Sequence, residues 1–93
     1  MILRSKQGFI NLDRVHLFNL KLNKEMKLDI EYRISDDPLP FNVELLTEQI
    51  DANEYAKLEE RFSIFLRGFG GQLFDPEVHL QSIRYLEEKN TDE

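Results

Sequence analysis

Residues 26–34 read MKLDIEYRI, an unbroken alternation in which Met26, Leu28, Ile30, Tyr32 and Ile34 are apolar and Lys27, Asp29, Glu31 and Arg33 are charged. A helix would bring its apolar residues back every three or four positions. A period of two predicts a strand with one face on a core and the other, charged at every residue, in water. Strands covered on one face only belong to antiparallel sheets, because parallel sheets are buried on both. The rest of the chain must therefore supply neighbours for this strand and a cover for its apolar row.

Sequence on either side offers the neighbours. Residues 15–22 alternate less cleanly, with His16, Phe18, Leu20 and Leu22 on one face and Val15, Leu17, Asn19 and Lys21 on the other, and Asn23-Lys24-Glu25 reads as a short hairpin loop. Residues 1–5 and 9–12 flank Lys6-Gln7-Gly8, where glycine suits a left-handed turn position. Asn11-Leu12-Asp13-Arg14 then contributes turn formers. Pro38 and Pro40 cannot donate to a ladder and mark 35–40 as a loop, after which Phe41, Val43 and Leu45 alternate again. The expected fold class is α+β, with an antiparallel five-stranded β-meander over about residues 1–47.

The period changes after residue 50. Asp51-Ala52-Asn53-Glu54 has the form of a capping box, an acceptor at the N-cap and a Glu three residues on. A helix is expected over about 52–67, its stripe of Tyr55, Leu58, Phe62, Phe65 and Phe69 lying on one face of the sheet, with Ile64 and Leu66 widening it. Next comes LRGFGGQLFDPEVHL, residues 66–80, with three of the chain's four glycines. A phosphate-cradling loop needs its glycines after a strand and before a helix. These follow a helix, so Gly68 reads as the left-handed residue that closes it and Gly70-Gly71 as a reversal over 70–75. Asp75 is a good N-cap, Pro76 suits the first helical position, and Glu77 favours the positive end of the dipole. A terminal helix is expected over about 76–89, with 90–93 frayed. The division is that of one domain: sheet 1–50, packing helix 51–69, reversal, terminal helix.

The terminal helix is apolar on two sides. Leu80, Ile83 and Leu86, with His79 beside them, form one; Val78 and Tyr85 lie roughly opposite. One side can dock on the domain, and the other is left for contact with another chain. Val78, Tyr85 and Leu46 are the candidate interface residues.

Charge divides the chain as well. Residues 1–34 hold seven Lys or Arg against four acids, a balance of +3, and residues 35–93 hold five against fourteen, a balance of −9, which together make the net −6. Two halves of opposite sign packed on each other account for this most simply. Carboxylates of the acidic half, Glu59, Glu60, Glu77, Glu87 and Glu88, are the candidate surface for a basic partner. Cysteine is absent, which removes disulfides and thiolate chemistry and fits a reducing compartment, so a cytoplasmic location is expected. No window approaches the ~20 apolar residues of a membrane span, so no membrane partner is expected.

Catalytic groups are thin. Ser5, Ser35, Ser63 and Ser82 lie in no Gly-x-Ser-x-Gly elbow, and His16 and His79 have no second histidine or glutamate at metal-ligand spacing. Acid pairs such as Asp36-Asp37, Glu59-Glu60 and Glu87-Glu88 sit where solvation explains them. No enzyme activity, cofactor or metal is expected. Nor is a nucleic acid: Phe18 and Tyr32 are in phase with the apolar row and so turn inward, and a chain of −6 gains nothing from counterion release.

The order of elements over residues 1–69, a strand meander closed by a helix, resembles a reduced pleckstrin-homology-like arrangement, and resembles many short bacterial proteins too; it implies no site residues. The expectation for function is a small non-enzymatic protein-interaction or regulatory module, able to self-associate through the terminal helix. The alternative is an acidic inhibitor or immunity-type protein that masks a basic site on a toxin or nuclease.

Overall fold

The computed structural model describes residues 1–34, 39–69 and 71–91, with the side chains of 16, 17, 90 and 91 excepted. In chain order the elements are β1 (Ile2–Ser5), β2 (Gly8–Asn11), a 3-10 turn (Leu12–Arg14), β3 (Val15–Leu22), β4 (Leu28–Ile34), β5 (Phe41–Glu44), α1 (Ala52–Leu66), β6 (Leu73–Phe74) and α2 (Pro76–Thr91). The class is α+β, with antiparallel strands, one helix packed on them and a second helix at the C-terminus. The expected strands and helices are all there.

Their grouping differs from one continuous meander. The strands form two three-stranded sheets, β2-β1-β6 and β3-β4-β5. The break falls at the 3-10 turn, where Asn11 Oδ1 accepts from the Asp13 amide at 3.0 Å and Leu12 N–H donates to Met1 O at 2.9 Å. Leu12 turns into the core, and β3 leaves in a direction that no longer pairs with β2. The vacant side of β1 is filled from far along the chain. After α1 the backbone returns, Ile2 N–H donates to Gln72 O at 2.7 Å, and β6 runs parallel to β1 with Ile2 opposite Leu73 and Leu3 opposite Phe74.

In the second sheet the registers align Phe18, Tyr32 and Phe41 in one row, with Phe41 exposed at the edge on Tyr32, and Leu20, Ile30 and Val43 in the next. The expected face of β3 changes near its start. Val15 pairs with Ile34 but Leu17 with Arg33, so β3 carries one extra residue there, and this bulge puts Val15 with Phe18 and Leu20 against the core. The side chain of His16, expected on the same face as Phe18 and Leu20, lies outside the described side chains. The long alternating stretch also starts later than its pattern suggests. Met26 has φ +63 and is exposed, part of a loop over 23–27 in which Asn23 Oδ1 accepts from the amides of Glu25 and Lys27. Asn23 Nδ2 reaches on to Asp29, which is buried rather than solvated. That satisfied polar loop outweighs the one apolar side chain left out.

The core is one cluster to which both sheets, α1 and, through Leu80 and Ile83, α2 contribute. Leu58, Phe62 and Phe65 are buried as expected; Phe62 meets Phe18 edge-on with centroids 5.9 Å apart, and Phe74 at 5.2 Å. Phe69, expected in the same stripe, is 68% exposed, because α1 stops at Leu66. Gly68, at φ +91, donates to Phe65 O at 3.0 Å, and Phe69 N–H reaches back to Ile64 O at 3.3 Å, the paired bonds of a glycine C-cap. Gly71 is also left-handed, at φ +89; Gly70, residues 35–38 with the pair Asp36-Asp37, and residues 92–93 lie outside the described residues. α2 continues to Thr91, past the expected end at 89.

Candidate functional site: the outer face of the terminal helix

Asp75 opens α2 as its sequence implies, its Oδ1 accepting from the Glu77 amide at 3.0 Å and its carbonyl from the His79 amide at 3.2 Å. Helix α2 runs antiparallel to α1, since Arg61 meets His79, Glu54 meets Arg84, and Asn53 meets Glu87. Leu80 and Ile83 are buried in the core cluster, and His79 lies flat on Phe74 with ring centroids 4.3 Å apart and 12° between planes. The terminal helix therefore docks on its own domain.

Polar bonds fix that docking. Arg84 Nε donates to Glu54 Oε2 at 2.7 Å, Nη1 to Glu48 Oε2 at 2.7 Å, and Nη2 to Gln49 O at 3.2 Å. The guanidinium thus ties α2 to both the start of α1 and the segment before it. Its pKa lies above the ordinary arginine value, chiefly through the hydrogen bond with Glu54, with burial opposing and Glu48 adding less. Glu54 also caps its own helix. Its Oε1 accepts from the Asp51 amide while Asp51 Oδ1 accepts from the Glu54 amide, which completes the expected capping box.

With Leu80 and Ile83 turned inward, Val78 and Tyr85 face away, 62% and 58% exposed. Seven residues apart on one helix, they share a stripe two turns long. Lys89 Nζ lies over the Tyr85 ring at 5.4 Å. Leu86, expected with the docking side, is exposed instead and widens the apolar strip. The third candidate, Leu46, needs correction as an exposed contact: it is only 1% exposed, held by its amide on Leu28 O at 3.4 Å and packed into the core. It still belongs to the place. Leu46, Glu48, Glu77, Val78, Leu80 and Gln81 line a cleft of about 330 Å³ beside the first turns of α2.

Several of the five acidic candidates are engaged within the chain. Glu77 pairs with Lys6 across the two halves of the chain, Arg4 beside it holds Asp75 at 2.9 Å, and Glu87 accepts from Lys57 and Asn53 at 2.8 and 2.7 Å. Glu59 Oε2 lies 2.9 Å from the Tyr55 hydroxyl, which is also 2.9 Å from Leu20 O. Burial first, and then Glu59, raises the Tyr55 pKa. Glu60 and Glu88 are exposed. Part of the −9 of residues 35–93 is thus met within the chain. Among the described residues, no group of three His, Asp or Glu could share a metal ion. No described helix is long and apolar enough to cross a membrane.

A second exposed apolar surface has no signal in the sequence. On the outer side of the first sheet Ile2 lies opposite Leu73, and Phe9 lies opposite Arg4; all three apolar residues are exposed. It depends on the parallel pairing of a two-residue strand with β1, too short to leave a periodic trace. Comparison of the chain with models of known families, with curated proteins and with solved structures finds no match.

Proposed function

We propose that this chain is a small non-enzymatic protein-interaction module whose contact surface is the outer face of α2, with a second copy of the chain as the first partner to test. The observation that carries the reading is the exposure of Val78 and Tyr85 on one stripe of a helix already anchored by its opposite face. An anchored helix presents its apolar strip without further ordering cost, and an aromatic residue at the centre of such a strip is the usual energetic anchor of an interface. A cytoplasmic location, consistent with the absence of cysteine, is part of the proposal, and nucleic acid is not among the partners it foresees.

The acidic-inhibitor reading has less to work with, since Glu77 and Glu87 already hold cations of their own chain. Salt separates the two. Association through Val78 and Tyr85 persists from low to moderate ionic strength, and Tyr85→Asp abolishes it. A complex that dissolves as salt rises and ignores Tyr85→Asp belongs to the carboxylates.

A further inference from the structure

A different place in the molecule has the make-up of a small-molecule site. Arg61, Ile64, Phe65, Phe69, Phe74 and His79 line a cleft of about 210 Å³ between the end of α1 and the start of α2. An apolar cavity of about 150 Å³ is enough for a benzene ring. Its walls are aromatic or aliphatic apart from two polar side chains, and no carboxylate is among them.

Those two polar groups define each other. Arg61 Nη1 lies 3.3 Å from His79 Nδ1, and the imidazole is fixed by its stack on Phe74. Burial, then the neighbouring Arg61, lowers the His79 pKa against the weaker pull of Asp75. In neutral solution Nδ1 accepts from Arg61 and the ring proton is on Nε2. The guanidinium is thereby held by a neutral partner that leaves its charge uncompensated. Arg4, Lys6, Lys57 and Arg84 each hold a carboxylate, whereas among the described residues none lies within ion-pair distance of Arg61.

We infer that this cleft binds a small aryl monocarboxylate, with its ring against Ile64, Phe69 and the His79 imidazole and its carboxylate on Arg61. Flat aromatic walls favour a ring, and a guanidinium fork matches a carboxylate. With Arg61 as the one cation lining the cleft, in the strongly acidic half of the chain, one negative charge is favoured over two. The site is separate from the outer face of α2, because neither Val78 nor Tyr85 lines it. Either proposal can fail alone.

The test is a titration of the full chain with benzoate, followed through backbone amide resonances, with benzyl alcohol as the uncharged probe. Expected are saturable shifts at Ile64, Phe69 and His79, with binding roughly tenfold weaker in Arg61→Gln and for benzyl alcohol, the loss expected of a charge-assisted hydrogen bond. Phe69→Ala, at an exposed position, weakens benzoate without touching the core and serves as the second variant. Absence of saturable shifts at these residues overturns the proposal. So does equal benzoate affinity in the wild type and in a folded Arg61→Gln.

Discussion

The two helices are of similar length and lie side by side, yet their apolar residues are spent differently. In α1 Leu58, Phe62 and Phe65 are buried and Tyr55 packs at their edge; in α2 Pro76, Leu80 and Ile83 are buried, while Val78, Tyr85 and Leu86 stay in water. The first helix is positioned by the core it completes. The second is positioned by Pro76, Leu80 and Ile83, by the stack of His79 on Phe74 and by polar bonds that include those of Arg84, which leaves one of its sides exposed. Buried apolar side chains are therefore concentrated in α1 and exposed ones in α2.

Substitutions should break this contrast in a definite order. Phe62→Ala removes a ring that meets Phe18, Phe65 and Phe74 and should cost about 4 kcal/mol in urea unfolding. In a domain of this size that is a large part of the total. Arg84→Ala comes next, at about 2 kcal/mol, because it leaves the Glu54 carboxylate buried without its cation; the exposed Glu48 contributes little to that figure. An equal cost for Arg84→Ala and Glu48→Ala would contradict the role given to Glu54.

The effect of His79 is smaller and depends on pH. Its pKa in the folded chain lies below the ordinary 6.5, so the folded state prefers the neutral ring. Its contribution is complete above about 6.5 and is lost as the pH falls through the lower folded value, since the unfolded chain binds the proton first. Melting temperature should decline on acidification through this range in the wild type, and less steeply in His79→Gln. Val78→Asp and Tyr85→Asp should change stability least, within about 0.5 kcal/mol. If either unfolds the chain, the outer side of α2 is structural after all.

Legibility in the sequence follows a related contrast, between local and distant determinants. Strict alternation over 28–34, the capping box at Asp51 and the glycine stop at Gly68 are local devices, and each forms where its residues stand. The features that escape a reading of the sequence are non-local. Nothing in Leu73-Phe74 announces a strand that closes a sheet on β1, and the turn at Leu12–Arg14 does not reveal that β3 will abandon β2. At the site, Val78 and Tyr85 are legible from helical spacing. Leu86 lies at the border of the docking face, where spacing alone assigns it to the wrong side, and Leu46 offers no pattern to show that it is buried. The aromatic cleft at Arg61 is not legible, since it is assembled from the end of one helix, a two-residue strand and the start of another helix.

The central claim is that the exposed side of α2 exists for contact, and sedimentation equilibrium over a range of concentrations tests it most directly. We expect the wild type to associate reversibly at moderate salt, and Val78→Asp and Tyr85→Asp to remain monomeric while unfolding like the wild type. A wild-type chain that stays monomeric throughout, or that associates equally well in both variants, would contradict it.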